Sequence, residues 1–82
     1  MSKVINQDIS IGNNLRNLRL RAGLSQEEVA AQLQIKGFII SREIISQMER
    51  GKHNIQISVL LALKDLYNAS IDDFFTNLDK DF

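Results

Sequence analysis

The stretch SREIISQMERGK, residues 41–52, separates its polar from its apolar side chains only if it is helical. At 100° per residue, the isoleucines fall on one side of a helix. The polar side chains gather on the other side, namely Arg42, Glu43, Ser46, Gln47 and Arg50. A β-strand would instead place the adjacent Ile44 and Ile45 on opposite faces. The pattern therefore predicts a helix over residues 42–50, with Ser41 as its N-cap and Gly51 as its stop.

The preceding run, FII at residues 38–40, has two interpretations. It could be a strand of a β-hairpin that turns at Gly37. If residues 42–50 are helical, it is instead a short buried connection. We favour the connection, with Phe38 or Ile39 packed inward or in a dimer contact, because three exposed neighbouring apolar side chains would promote association.

Helical spacing also marks the segments before this run. Apolar residues recur at i, i+4, i+7 and i+11 in a first segment, namely Ile11, Leu15, Leu18 and Ala22. Gly23 follows as a stop. The next segment, SQEEVAAQL, opens with a capping box of Ser25 and Glu28, and it can continue through Ile35 to Gly37.

The C-terminal third predicts two more helices. SVLLALKDLY is apolar nearly all round, which is typical of a central buried helix, and Asn68 can end it in a left-handed conformation. Ser70 and Asp73 form a second capping box, followed by an amphipathic stretch to Leu78. We therefore predict an all-α fold of five helices without a sheet. It forms one domain over residues 1–82, with a core at about 9–78 and loose ends at 1–8 and 79–82.

The composition argues against several classes of site. There is no cysteine and only one histidine, His53, so neither a thiolate nor a histidine metal site is expected. No nucleophile–base pair, glycine-rich phosphate loop or metal-binding carboxylate cluster is visible, so we expect neither an enzyme nor a cofactor. No apolar run is long enough for a membrane span and no signal peptide is visible, so we expect a cytoplasmic protein.

The formal net charge is zero, but it is unevenly distributed. Residues 1–52 hold eight basic and five acidic side chains, whereas residues 53–82 hold two basic and five acidic ones. A neutral chain of this kind can still present one basic face to a nucleic acid.

The order of these segments resembles the phage-repressor (Cro/lambda-repressor-like, xenobiotic-response-element type) helix-turn-helix family. IGNNLRNLRLRAGLSQEEVAAQL is similar to its first two helices, ISREIISQMERGK to its third helix and following turn, and ISVLLALKDLYNASIDDFF to its last two. The resemblance covers residues 9–75. The chain departs from it in a longer connection between the second and third helices. It also carries Lys64 at a buried-helix position that is usually small and apolar, so this side chain must reach solvent or a carboxylate.

The resemblance implies a sequence-specific double-stranded DNA-binding regulator of the repressor kind, whose third helix lies in the major groove. The implied base-facing residues are Arg42, Glu43, Ser46 and Gln47. The implied phosphate contacts are Gln26, Arg19, Arg50, Lys52, His53 and Asn54. The resemblance further implies a structural ion pair between Arg19 and Glu49.

Two partner hypotheses accompany this interpretation. One recognition helix reads few base pairs, so we expect a homodimer, with Ile71–Leu78 as the interface because Phe74 and Phe75 are large and apolar. The alternative is a protein–protein interaction module on the same fold, such as an antitoxin-like or regulatory partner. Zero net charge and the apolar GFII run favour this alternative, and the salt dependence of binding would separate the two.

Overall fold

Five helices form most of the computed structural model. It describes the backbone alone at residues 4–5, and backbone and side chains at residues 9–78. They are α1 (Gly12–Arg21), α2 (Gln26–Ile35), α3 (Arg42–Glu49), α4 (Ile57–Leu66) and α5 (Ile71–Phe74). The predicted all-α class and the number of helices are confirmed for this part of the chain. None of the helices described is long and apolar enough to cross a lipid bilayer.

A single hydrophobic core receives residues from every helix. Three of its largest completely buried side chains are Leu15, Leu33 and Phe74, from α1, α2 and α5. The other buried apolar residues are Ile11, Leu18, Val29, Ala30, Ile40, Ile45, Met48, Ile55, Val59, Leu60, Leu63 and Tyr67. Burial of this apolar surface is the main force that holds such short helices together, because helices of eight to ten residues are marginal on their own.

The helix ends follow the predicted capping chemistry. The Ser25 hydroxyl accepts from the Glu28 amide at 3.0 Å, and the Glu28 carboxylate accepts from the Ser25 amide at 2.9 Å. The hydrogen bond that the Glu28 carboxylate accepts from the Ser25 amide is the main cause that lowers the pKa of this carboxyl. Asn68 has φ 51° after α4, which is the predicted left-handed ending. The second capping box is also present before α5, where the Asp73 carboxylate accepts from the Ser70 amide at 3.0 Å.

Two helices differ from the prediction. α5 ends at Phe74, well short of Leu78, and α4 buries only one face, since Leu61 is 49% exposed. The Lys64 Nζ atom on α4 lies 3.7 Å from the Asp65 carboxylate, and the Lys64 side chain is partly exposed. This lysine therefore reaches both solvent and a carboxylate, as expected. α4 is therefore an amphipathic helix over the core and not a fully buried one.

A two-residue strand pairing is an addition that the sequence did not reveal. β1 (Val4–Ile5) pairs antiparallel with β2 (Ile55–Gln56), with Ile5 opposite Ile55. The expectation of an entirely sheet-free chain is corrected by this one pairing. The expectation of a loose end at residues 1–8 is corrected at Val4–Ile5, and its other residues, like 79–82, lie outside the described part of the chain.

The connection between α2 and α3 is only partly buried, which corrects a prediction. Ile40 is 8% exposed and Phe38 packs against the core, as expected of a buried connection. Ile39 between them is 97% exposed. Residues 38–40 form no strand, so the hairpin interpretation is wrong.

The predicted dimer interface is corrected at one residue. Phe74 is completely buried in the core of its own chain, so it has no surface to offer a partner. Phe75 is 43% exposed and Ile71 38% exposed, because α5 turns only one side towards the core. These two residues are what remains of the apolar surface expected on this stretch.

Candidate nucleic-acid interface

The polar side of α3 faces solvent. Arg42, Glu43 and Arg50 are exposed, and Ser46 and Gln47 between them are half-buried. On the opposite side, Ile45 and Met48 are buried against α1 and α2. Arg50 is the C-cap residue and the others lie within the helix. The structure thus brings the four predicted base-facing residues onto one accessible surface.

The entry to α3 is held in place by side-chain hydrogen bonds. The Ser41 hydroxyl accepts from the Ile44 amide at 3.3 Å, which is the predicted N-cap. The Gln34 amide side chain on α2 donates to the Ile40 carbonyl at 2.8 Å, just before this cap. Residues 36–41 connect the two helices in place of the short turn that usually fixes a helix pair. The hydrogen bond from Gln34 to Ile40 holds this longer connection against α2.

The end of α3 is held by a buried ion pair. Arg19 on α1 donates from Nε to Glu49 Oε2 at 2.7 Å and from Nη2 to Glu49 Oε1 at 3.1 Å. The hydrogen bond from Arg19 to this carboxylate is the main cause that raises the pKa of the guanidinium. Both residues are over 90% buried, so the pair predicted from the sequence is present as an internal contact.

The first turn of α2 lies beside the start of α3. Ser25, Gln26, Glu27, Arg19 and Arg42 line one open depression. Gln26 Nε2 donates to Glu49 Oε1 at 3.1 Å, which orients its side chain towards the same ion pair. The positive end of the α2 dipole and Arg42 favour an anion here, whereas Glu27 opposes one.

The turn after α3 carries the remaining predicted contacts. Arg50, Lys52, His53 and Asn54 are all exposed. The Lys52 amide donates to the Gln47 carbonyl at 2.8 Å, and Gly51 takes φ +72° to allow this ending. His53 Nδ1 lies 2.7 Å from its neighbour's carbonyl, at Asn54. This turn and the first turn of α2 therefore both lie next to α3.

Comparison with known proteins identifies the arrangement. The family described as helix-turn-helix domain matches residues 10–74, which include all five helices. The chain belongs to this helix-turn-helix family. The helix-turn-helix unit is α2, the connection and α3.

Individual relatives agree with this family. An uncharacterized HTH-type transcriptional regulator of Archaeoglobus fulgidus is 31% identical over 61 residues, which cover 74% of this chain and 80% of the relative. Another of Sinorhizobium fredii is 34% identical over 70 residues, which cover 85% and 84% of the two chains. These likenesses support the predicted class of function, a DNA-binding transcriptional regulator.

A solved structure has a similar fold. It is the crystal structure of a point mutant of the restriction-modification controller protein C.Esp1396I, with a TM-score of 0.64 and 27% identity. The match covers 87% of this chain and 84% of that chain. The predicted resemblance to the phage-repressor type of helix-turn-helix is thereby confirmed.

One predicted site residue has a different environment from that expected. Arg19 is 8% exposed, and besides its two bonds to Glu49 its Nη1 donates to the Leu24 carbonyl at 2.9 Å. It borders the depression at the first turn of α2, but most of its donors are used inside the protein. Its main contribution is therefore to hold α3, with little guanidinium surface left for a phosphate.

The sequence analysis missed two residues that position α1 against other helices. A Cβ atom at Gly12 would lie 2.9 Å from the Met48 carbonyl oxygen and closer still to that of Glu49, so α1 and α3 meet backbone to backbone. Asn14 Nδ2 donates to the carbonyls of Phe74 and Thr76, each at 2.9 Å, and ties α1 to the α5 end. A glycine at a helix start was a visible signal, whereas nothing local marked Asn14.

Metal binding finds no support in the described part of the chain. No group of three or more histidine, cysteine, aspartate or glutamate residues is placed there to hold a metal ion. The candidate site therefore consists of hydrogen-bonding and charged side chains on α2, on α3 and on the turn after α3.

Proposed function

We propose that the protein is a transcriptional repressor that binds double-stranded DNA and reads the major groove with α3. The observation that carries the proposal is a helix whose buried side is fixed by the Arg19–Glu49 pair while its polar side is free. Recognition of bases requires such a rigid presentation, since a misplaced side chain cannot form two aligned hydrogen bonds to one base.

The base contacts are proposed for the exposed side of α3. Gln47 can donate to and accept from the edge of adenine, and Arg42 can donate twice to guanine. Ser46 lies between them on the helix and can serve either base. Glu43 can accept from the amino group of cytosine, and its exposed position in the first turn is compatible with this.

The phosphate contacts are proposed for the two flanks. On one flank, Gln26 and the free amides of the first turn of α2 would hold a phosphate of one strand. On the other flank, Lys52, His53 and Asn54 follow α3 and would reach the second strand, with Arg50 beside them. Arg19 contributes mainly by fixing Glu49 and thereby α3. These contacts orient the helix and carry no sequence information.

A homodimer is proposed for the active form. A single α3 covers only a few base pairs, and two copies on half-sites about 34 Å apart would multiply the specificity. The exposed side of α5 with Ile71 and Phe75 supports a self-association surface there. Bound in this way at a promoter, the protein would act by occupying the DNA. Its place of action would be the compartment that holds the DNA, for which we propose the cytoplasm.

Selection of duplexes from a random pool tests the proposal. Wild-type protein should enrich a site with two-fold symmetry, and its affinity should fall steeply with salt as counterions are released. Gln47→Ala should enrich a site that has lost its preference at one position of each half. Failure of the wild type to enrich any sequence would refute the proposal.

A second function is favoured by one observation. Ile35 is 78% and Ile39 97% exposed near the helix-turn-helix connection, as a protein-binding surface would require. On this alternative, the chain is a regulatory or antitoxin-like partner, and its binding would depend little on salt. Neither function involves catalysis or a cofactor.

A further inference from the structure

Ile39 is the most exposed large apolar side chain in the described part of the protein. It is 97% exposed, although Ile40 next to it is 8% exposed and Phe38 before it packs against the core. Single exposed apolar residues are common on protein surfaces and have no meaning by themselves. Ile39 differs from such residues in two ways. The backbone on both sides of it is hydrogen-bonded, and it lies just before the start of α3.

The backbone on both sides of Ile39 is anchored. The Phe38 amide donates to the Leu33 carbonyl at 3.0 Å, and the Gln34 side chain donates to the Ile40 carbonyl at 2.8 Å. A residue fixed between two such bonds has little freedom to fold back onto the core. Its exposure is therefore a property of the folded connection, and a partner that contacts Ile39 would lose little backbone entropy by doing so.

Ile39 lies close in the chain to the proposed DNA-reading helix. It stands two residues before the N-cap Ser41, and the first turn of α3 is the part of the helix proposed to approach the bases. Ile39 also lines a depression together with Ile44 of α3 and with His53 and Asn54 of the following turn. The rest of its lining is mostly buried and apolar, namely Ile40, Met48, Ile55 and Val59, with Gln56. The depression thus runs along the flank of α3, from its entry to the turn proposed to contact phosphate.

We propose that Ile39 is a specificity-determining residue that packs against the 5-methyl group of a thymine in the major groove. This inference rests on the proposed function. Thymine is the only base that presents a methyl group in the major groove, and apolar side chains are the groups that recognise it. Burial of Ile39 against a methyl group displaces water from two apolar surfaces and leaves no polar group unpaired.

The test removes the thymine methyl group from the DNA and the apolar side chain of Ile39 from the protein, separately and together. The probe is a duplex selected by the wild-type protein from a random pool, in which each thymine is replaced in turn by deoxyuridine. One replacement should weaken wild-type binding about threefold to fivefold, the effect of one buried methyl group. Ile39→Ala should bind the parent duplex more weakly by a similar factor and should no longer distinguish thymine from deoxyuridine at that position.

A matched variant controls for loss of apolar surface in general. Ile35→Ala removes another highly exposed isoleucine, at the end of α2 and outside the connection. It should bind the parent duplex as the wild type does and keep the full response to deoxyuridine. Sedimentation of all variants, with and without the duplex, reports whether any loss comes from self-association.

Each other result overturns the inference. The wild type could bind every deoxyuridine duplex equally, or Ile39→Ala could keep the same response to deoxyuridine at every position. A loss of binding that follows only from a change in oligomeric state would assign Ile39 to a protein interface. Gln47→Ala separates this failure from failure of the proposed function, because it should still lose sequence discrimination if α3 reads the bases and Ile39 does not.

Discussion

Glu49 joins three helices through one carboxylate, and its main partner is Arg19, thirty positions earlier in the chain. Arg19 Nε and Nη2 contact its two oxygens at 2.7 and 3.1 Å, and Gln26 Nε2 contacts Oε1 at 3.1 Å. α1, α2 and α3 therefore meet at the end of the helix that is proposed to read DNA. The orientation of this helix depends on charges that lie inside the protein.

Loss of one partner of this pair should destabilise the fold. Glu49→Ala would leave the Arg19 guanidinium buried without its counter-charge, and we expect a loss of about 3 kcal/mol in the free energy of unfolding. Arg19→Ala should cost a similar amount, and the double variant should cost clearly less than the two losses added together. Urea unfolding of the four proteins measures this coupling. Strictly additive losses would mean that the pair contributes nothing as a pair.

Gly12→Ala should be destabilising even though alanine is the better helix former. Its Cβ would lie 2.8 Å from the Glu49 carbonyl carbon and 2.9 Å from the Met48 carbonyl oxygen, so α1 must move away from α3. Overpacking of this kind costs about 1–3 kcal/mol. The exposed neighbour Asn13→Ala is the control and should unfold at about the wild-type urea concentration. Equal midpoints for the two variants would show that the backbones can separate at no cost.

These two contacts differ in how far the sequence could reveal them. The Arg19–Glu49 pair was predictable because both residues occupy positions that the helix-turn-helix resemblance assigns to an ion pair. The contact at Gly12 depends on how closely two helices approach, and a glycine at the start of a helix has several possible reasons. Only the three-dimensional packing of α1 on α3 distinguishes them.

Tyr67 should make the protein sensitive to alkaline pH. It is 3% exposed, and its burial, with a further contribution from the Glu49 charge, raises the pKa of the phenol well above its usual range. Its contribution to stability is therefore present below the unfolded pKa of about 10 and is lost as the pH rises above that value. Tyr67 is the only tyrosine and the chain has no tryptophan, so phenolate absorption reports this group alone.

The expected observation is that phenolate appears together with the loss of helical circular dichroism. Tyr67→Phe should remove most of the decline in stability above about pH 10. Phenolate absorption that develops at about pH 10 while the helices remain intact would show that the ring is accessible in the folded protein.

Phe75 should control self-association. It is 43% exposed beside the buried Phe74, so Phe75→Ala removes apolar surface without opening a cavity in the core. If α5 forms the dimer interface, this variant should weaken self-association by about tenfold or more, as expected for an aromatic residue near the centre of an interface. Leu61→Ala on α4 is the comparison, with similar exposure. A loss of dimer only in Leu61→Ala would assign the interface to α4.

The apolar runs FII at residues 38–40 and FF at residues 74–75 show what could not be predicted from the sequence. Each predicts that some of its large side chains are buried, and both do contribute one, Ile40 and Phe74. Which neighbour is buried depends on the path of the chain over the core. Ile39 and Phe75 are therefore exposed for a reason that has no local signature. The polar side of α3, by contrast, follows directly from helical periodicity, and for that reason its residues were predicted together.

The proposed roles on α3 and in the following turn predict different losses of binding for Gln47 and Lys52. Gln47→Ala should cost about 1–3 kcal/mol of binding free energy on the selected duplex and far less on scrambled DNA, because it removes a base contact. Lys52→Ala should weaken binding to both duplexes by about the same factor, since it removes a phosphate contact. It should also reduce the slope of log affinity against log salt by about one unit.

Variants of Arg42 distinguish two possible contacts of this residue with DNA. It lies both on the polar side of α3 and in the depression at the first turn of α2, so it could reach a guanine or a phosphate. If it reads guanine, Arg42→Ala should lose affinity mainly on the selected duplex, and Arg42→Lys should not restore it, because lysine lacks the two-pronged donor. If it holds a phosphate, both duplexes should bind more weakly, and lysine should restore much of the loss.

Measurement of the Gln47, Lys52 and Arg42 variants on both duplexes across a salt series decides between a base contact and a phosphate contact for each residue. Full retention of discrimination by Gln47→Ala would contradict the assignment of α3 as the helix that reads DNA.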